Sequence, residues 1–516
     1  MSPTIVWLIF GQPSGIVTSI MSGGNVMLDI DWKPDRSSPT QLHLQIAGYI
    51  KNKISCGEWI VGTKLPSQRT LSDIFDVNRS TIVAAMEELA AEGVIEGNSG
   101  GGTVIINDTW TLFPMERAYN WNNYISSGAH QSNQNIIQLI NQAEFDPGII
   151  RLGSCEPSQK MIPYGMIQKI LKGLPETANF LGYEEPRGSI YLRKEICNYL
   201  DTMGIAAEPS SILITSGALQ ALQLISLGLL HSSSVVYLEK PSYLYSLRTF
   251  QSFGMQLSGI SIDEEGINIQ ELFARHGRKR GSMLFTIPTF HNPTGNVMSL
   301  ERRKALLEKC EMERLPIIED DVYREIWFDE QPPMPLKAFD KNGLVLYVGG
   351  MSKNLSPGLR IGWIAGPEQV IGRLADIKMQ SDYGSSSLSQ YVAAEMFASG
   401  LYAEHNKLMR ENVRIRRDTA LTALNRYFKG IASWNIPAGG YFIWLKLNDD
   451  ISMYQLFVKA LKNKILIHPG DLYEYHSSQY IRISYSNASL DEIDFGIKVL
   501  SQLVIDNWVL HRSRLH

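Results

Sequence analysis

Lys353 closes the run Gly349-Gly350-Met351-Ser352-Lys353, and Arg360 follows one short loop later, after Asn354-Leu355-Ser356-Pro357-Gly358-Leu359. A lysine amine can form a Schiff base with an aldehyde, and an arginine fork can grip a phosphate. Pyridoxal 5'-phosphate (PLP) presents both groups. A Ser-Lys pair among glycines also suits a solvated turn, so the partners elsewhere in the chain carry the weight.

Those partners occur in several stretches. Thr215-Ser216-Gly217-Ala218-Leu219-Gln220 follows the apolar run Ile212-Leu213-Ile214 and opens a helix. Backbone N–H groups at that helix start suit a phosphate. Tyr243, in Glu239-Lys240-Pro241-Ser242-Tyr243, can stack on a pyridine ring or simply pack. Pro288-Thr289-Phe290-His291-Asn292-Pro293-Thr294-Gly295 is a loop fixed by two prolines. Asn292 there can donate to a phenolate-like ring oxygen.

Ile318-Glu319-Asp320-Asp321-Val322-Tyr323 places a carboxylate at a strand end. Asp320 can hold a pyridine nitrogen protonated, which makes the ring an electron sink. Tyr323 can reach the same oxygen as Asn292. The rival reading is an acidic loop facing water. Tyr480-Ile481-Arg482-Ile483-Ser484-Tyr485 reads as a strand with an inward arginine. Arg482 is the candidate for a substrate α-carboxylate, with an internal salt bridge as the alternative, and Asn292 is a second candidate for substrate binding.

These residues need a scaffold. Ser234–Leu238, Ser282–Ile287, Pro316–Ile318 and Leu344–Val348 read as buried strands between helical patterns. Such alternation predicts an α/β domain with a mainly parallel central sheet. Cofactor residues then lie in loops at strand ends. With 516 residues, two or three domains are expected. A net charge of -4 gives no global pull toward nucleic acid or membrane. Cys56, Cys155, Cys197 and Cys310 lack metal-ligand spacing, so no metal site is expected and a reducing, cytoplasmic setting is.

Ile5–Phe10 is apolar but too short to span a membrane, and residues 1–26 read as an extension of little role. From 107 to 149 the chain is rich in Asn, Gln and Ser, which predicts a long connector without its own core. It divides a small front part, 27–106, from a large back part, 150–516.

In the front part, Leu42, Ile46, Ala47, Ile50 and Ile54 recur at helical spacing. Ser67 is placed to cap a short second helix. A third helix starts at Arg79, and two short strands flank the glycine-rich tip Ser99-Gly100-Gly101-Gly102. This is a winged helix-turn-helix, whose third helix enters the major groove by its N-terminal residues. Arg79 would read a guanine edge, Ser80 and Thr81 would hold phosphates, Arg69 would add a contact, and Gly101 would let the wing approach the minor groove. The bland alternative is a winged helix used for protein contact alone. Acidic residues outnumber basic ones ten to seven over 27–106. Binding to double-stranded DNA should therefore rest on a few placed contacts and on paired half-sites. The basic run Arg275–Arg280 reads as a solvated loop rather than a DNA contact.

Leu65-Pro66-Ser67-Gln68-Arg69-Thr70-Leu71, Val77-Asn78-Arg79-Ser80-Thr81-Ile82, Leu89–Ile95 and Gly100–Thr103 resemble the motifs of the GntR family of regulators. The motifs of the back part, over about 150–505, resemble the fold-type I, class I aminotransferases. That resemblance implies a small C-terminal α+β subdomain, with helices on both faces of the central sheet. It also implies PLP on Lys353, Asp320 on the ring nitrogen, Asn292 and Tyr323 on the ring oxygen, and Tyr243 on the ring face. Gly217, Ala218, Leu219, Ser352 and Arg360 would surround the phosphate, and Arg482 would take the substrate. Tyr183, in Leu181-Gly182-Tyr183, matches a tyrosine that reaches the phosphate of a neighbouring subunit, which implies a homodimer. One position departs: the family has Ser or Thr where this chain has Gly350, a loss of about 1 kcal/mol in cofactor grip.

A GntR-like reader before such a body is similar to the MocR subfamily of GntR regulators. The resemblance implies a transcription regulator whose effector domain forms aldimines with PLP and an amino acid or amine. The alternative is a working aminotransferase moving an amino group between an amino acid and a 2-oxo acid. A lyase on the same fold is a third reading.

Overall fold

The computed structural model describes residues 30, 32–55, 59, 61–98, 102–106, 135–174, 182–277, 281–448, 450–474 and 479–512. Residues 1–26, Gly101 and Arg278–Arg280, to which the sequence reading gave roles, lie outside them.

The chain divides into two compact units. The first holds the helices Leu42–Ser55, Gln68–Phe75 and Arg79–Ala91 and the antiparallel hairpin Ile95–Asn98 with Gly102–Ile105. Ser67 caps the second helix by accepting from the Thr70 N–H, as its position predicts. Asp76 ends that helix in the left-handed region, at φ 54°, which turns the chain sharply into the third helix. Ile46, Ile50, Leu71, Phe75, Ile82, Ala85, Leu89 and Ile105 form the core. Trp32 stacks on Tyr49 at 4.7 Å and closes one side.

The larger unit is built on eight strands. In spatial order they are Ile212–Thr215, Gly362–Ala365, Val345–Gly350, Ile317–Asp320, Met283–Thr286, Val235–Lys240, Gln256–Asp263 and Gly266–Ile267. The five from Val345–Gly350 to Gln256–Asp263 pair in parallel, whereas Gly362–Ala365 runs antiparallel to both neighbours. Side chains alternate across the sheet with period two, and both sets are apolar. Leu213, Val236, Leu238, Phe285, Ile318, Leu346 and Val348 pack on one face. Ile212, Ile214, Tyr347 and Trp363 join a second core, and Tyr237, Leu284, Ile317 and Val345 a third. Burial on both faces is why these strands read as unbroken hydrophobic runs.

A four-stranded antiparallel sheet, ordered Ala432–Trp434, Phe442–Leu447, Tyr480–Ser484 and His468–Pro469, forms the C-terminal subdomain. The helices Leu401–Tyr427, Met453–Lys462 and Leu490–Arg512 accompany it. Ile150–Arg151 pairs in parallel with Ile465–Leu466 and ties the start of this unit to its end.

The connector reading needs correction at its C-terminal end. Asn135–Ala143 is a helix with Ile140 and Ala143 buried. Its Asn and Gln content hides Ile136, Ile137 and Ile140, which fall at helical spacing. Among the described residues, no helix is long and apolar enough to cross a membrane.

Candidate cofactor and effector site

The site gathers at the C-terminal ends of the sheet strands, where loops are free to carry polar groups. Ile212–Thr215 runs into Ser216 and Gly217, and the helix Ala218–Leu229 follows. Among the described residues no side chain caps that helix, so its first N–H groups can serve a ligand. Arg360 Nη2 donates to the Ser216 carbonyl at 2.6 Å. Gly217 adopts φ 86°, and a Cβ there would lie 2.6 Å from Arg360 Nη2. The glycine is required both by the backbone and by the guanidinium packed on it. A cation, uncapped helical N–H groups and a glycine cradle together can seat an anion.

Val345–Gly350 leads directly to Ser352 and Lys353, both half-buried. Lys353 Nζ donates to the Cys155 carbonyl at 3.1 Å and lies 3.3 Å from Cys155 Sγ. The Tyr441 hydroxyl donates to the Lys353 carbonyl and fixes the loop. At Gly350 a Cβ would meet nothing closer than the Ile361 carbonyl at 3.4 Å, so the missing hydroxyl is a matter of sequence rather than space.

Asp320 ends its strand, buried, and accepts from the Tyr243 hydroxyl at 2.9 Å. Burial pushes its carboxyl up to about 6, against the pull of the Tyr243 hydrogen bond. Sequence reasoning placed the Tyr243 ring against a cofactor face. The structure adds its hydroxyl on Asp320 and an edge contact with Phe285 at 5.9 Å. Tyr323 is buried edge-on against Tyr441 and Phe442, and burial holds its phenol well above the usual range. The loop facing water that was the rival reading for Asp320 and Tyr323 is not what forms.

Arg482 is buried among neutral groups. Its Nη1 donates to Asn292 Oδ1 at 2.8 Å, and its Nη2 donates to the Gly153 carbonyl at 2.6 Å and to His468 Nδ1 at 2.9 Å. The Phe442 and Tyr473 rings lie 4.3 and 5.0 Å from its guanidinium carbon. Among the described residues, no carboxylate comes within ion-pair distance of Arg482, so the internal salt bridge is not what forms. Arg482 Nε is buried without a partner. Because Asn292 Oδ1 serves Arg482, the amide's Nδ2 is turned the other way, free to donate. His468 accepts at Nδ1, and burial followed by the adjacent guanidinium holds it neutral.

Cys155, Gly153, His468 and Tyr473 were missed by sequence reasoning. The only local signal was a run of small residues, Gly153-Ser154-Cys155, after the apolar strand. Tyr183 makes none of these contacts: it is 86% exposed, with its ring 5.0 Å from Tyr383. In the front unit, Arg69, Arg79 and Ser80 are exposed and Thr81 is half-buried, with Arg79 opening its helix.

Residues 147–500 match the family of class I and II aminotransferases, and residues 42–105 match the gntR family of bacterial regulatory proteins. The transcriptional regulator YdfD of Bacillus subtilis is 51% identical over 460 residues, 89% of this chain and 95% of that protein. NorG of Staphylococcus aureus is 36% identical, over 84% of this chain and 98% of its own length. This chain belongs to the MocR-type GntR regulators. Its back domain superposes on Pyrococcus horikoshii kynurenine aminotransferase with a TM-score of 0.71 and 30% identity, over 75% of this chain and 98% of that one. For LysN, the α-aminoadipate aminotransferase of Thermus thermophilus, the TM-score is 0.70 at 27% identity, over 76% of this chain and all of that one.

The regulator's back domain is thus a PLP-binding domain of fold type I. Its residues fit that group. The cation and helical N–H groups at Gly217 and Arg360, the amine of Lys353 and the buried carboxylate of Asp320, to which no cation is bonded among the described residues, suit a phosphate, an aldehyde and a pyridine nitrogen in turn.

Proposed function

We propose that this regulator changes its grip on operator DNA when an amino compound reaches PLP held on Lys353. Arg360, Ser352 and the N–H groups of Gly217, Ala218 and Leu219 would hold the phosphate. Asp320 would keep the ring nitrogen protonated, Asn292 and Tyr323 would meet the ring oxygen, and Tyr243 would support the ring. When bound, PLP supplies an aldehyde that joins amines reversibly and a ring that accepts electrons. Lys353 Nζ, once released, is the base that can move a proton at the ligand's α-carbon. Arg482 would orient the ligand through a carboxylate, and Asn292 would steady that arginine. The observation that carries the reading is Arg482: a buried guanidinium whose partners are a carbonyl, an amide and a neutral imidazole. A buried cation so placed has no counter-charge within ion-pair distance among the described residues, and a ligand carboxylate would supply one.

Arg69, Arg79, Ser80, Thr81 and Gly101 would meet DNA. The exposed Tyr183 supports a homodimer in which each copy lends this tyrosine to the phosphate of the other. The presence of Lys353, Asp320 and Arg482 in one site also favours a second reading, an aminotransferase half-reaction on the same residues.

Purified protein is expected to be yellow, and Lys353→Ala to lose the covalent cofactor bond by absorbance and mass. A fragment from the protein's own gene neighbourhood should be retarded by the wild type, and by Arg79→Ala only at higher protein concentration. Release of a 2-oxo acid from an amino-acid donor would establish the enzyme reading. If no neighbouring fragment binds, the regulatory reading is lost.

A further inference from the structure

We infer that the segment Leu152–Glu156 detects an α-amino acid by exchanging contacts with Arg482 and Lys353, and passes the exchange through Ser154 and Glu144 to the helix Asn135–Ala143. The inference rests on the sensor reading above and deepens it.

Two groups that the ligand must engage already lean on this segment. Arg482 Nη2 donates to the Gly153 carbonyl at 2.6 Å. Lys353 Nζ donates to the Cys155 carbonyl at 3.1 Å, with Cys155 Sγ at 3.3 Å. A ligand carboxylate competes with the Gly153 carbonyl for Arg482. Lys353 Nζ can donate both bonds to Cys155 only as a free amine. A ligand amine held by the cofactor in its place would leave Lys353 free to make these bonds to Cys155. A molecule carrying both groups trades the Gly153 contact for the Cys155 contact. A simple amine restores one without loosening the other, and a simple carboxylate loosens one without restoring the other.

Hydrogen bonds and one close contact hold the segment together as a single piece. The Ser484 N–H donates to the Leu152 carbonyl at 2.6 Å. Ser486 Oγ donates to the carbonyls of Ser154 at 3.3 Å and Glu156 at 2.7 Å. A Cβ at Gly153 would lie 2.3 Å from the His468 ring, so backbone and imidazole are in direct contact. Between the two reporting residues sits Ser154, fully buried, whose Oγ donates to Glu144 Oε1 at 2.8 Å. Glu144 continues the helix Asn135–Ala143, its N–H donating to the Ile140 carbonyl at 2.9 Å. That helix is the first described element after residue 106, so in chain order it stands between this segment and the DNA-binding part.

The test uses the full chain loaded with PLP and a duplex from its own gene neighbourhood. Probes are the common L-amino acids, each paired with the amine lacking its carboxylate. Cofactor absorbance reports ligand arrival, and fluorescence anisotropy of the duplex reports DNA affinity. In the wild type, an amino acid that shifts the spectrum should change DNA affinity by about 5-fold or more, the low end for coupled sites, and its paired amine by less than about 2-fold. Ser154→Ala and Glu144→Ala should keep the spectral midpoint within about 3-fold of wild type while the DNA response falls below about 2-fold. Glu144→Gln, which still accepts from Ser154, should restore it. A wild-type DNA response in both alanine variants, or Glu144→Gln behaving as Glu144→Ala, overturns the relay and leaves the sensor reading standing. A wild-type spectrum unmoved by every amino acid removes the sensor reading and the relay together.

Discussion

Arg482→Ala is the substitution that most sharply tests how this regulator chooses its ligand. A carboxylate meeting Arg482 would make two charge-assisted hydrogen bonds in a buried site, each contributing about 1.5–3 kcal/mol. Arg482 must yield part of its existing bonding to the Gly153 carbonyl and His468 Nδ1, so the lower end applies. The expected loss on truncation is about 3 kcal/mol, or roughly 100-fold in affinity for an L-amino acid. For the matching amine without a carboxylate, the loss should stay under about 3-fold, because that ligand never used the fork. Arg482→Lys keeps the charge but gives up the fork and the stacking on Phe442, and should fall between, near 10-fold. The assay is an absorbance titration of the PLP-loaded chain with amino acid and amine in parallel. Lys353 remains in all variants, so the cofactor band remains to be read. Equal losses for both ligands would show that Arg482 merely holds the pocket together. No loss for the amino acid would remove Arg482 from ligand binding.

Three further outcomes follow from the same geometry. Burial holds the Asp320 carboxyl up at about 6, against roughly 3.9 in an unfolded chain. Between those values the native state keeps a proton that the unfolded chain has released, so this group's effect on stability worsens as pH rises from about 4 to 6. Cofactor-free Asp320→Asn should therefore be more stable than wild type by up to about 3 kcal/mol near pH 7.5, with the gap closing near pH 4; equal gaps in urea titrations at both pH values would refute this. Gly350→Ser, which has room for its Cβ, should tighten cofactor binding by about 1 kcal/mol, roughly 5-fold, and an unchanged PLP titration would show that the hydroxyl finds no phosphate. Arg79→Ala should cost about 1–3 kcal/mol of DNA affinity and relax preference at one base pair, read by gel retardation on point-substituted duplexes; a uniform loss across duplexes would make Arg79 a phosphate contact instead.

Much of the fold was legible because its signals are short-range. The helices of the front unit follow apolar spacing, and Ser67 announces a cap by its own hydroxyl. The central strands announce burial on two faces by unbroken β-branched and aromatic runs. The antiparallel course of Gly362–Ala365 left no such mark, since strand direction depends on how the chain returns to the sheet. The helix Asn135–Ala143 was lost in the polar composition around it, although its own apolar residues fall at helical spacing. In the site, Lys353, Arg360, Asp320 and Gly217 stood out because each serves a local demand of charge or backbone conformation.

The amino-acid sequence by itself determined the two-part organisation, the strand-end motifs and the residue types able to hold PLP. Tertiary structure alone decided which of them touch. Cys155 meets Lys353 across 198 residues of chain. His468 stands opposite Arg482 because the strands His468–Pro469 and Tyr480–Ser484 pair in that register. Register and long-range pairing arise from the packing of whole sheets, where a shift of one residue would turn every side chain to the other face. A window of sequence carries the preferences of its own residues, but not the identity of the distant segment that burial will press against it.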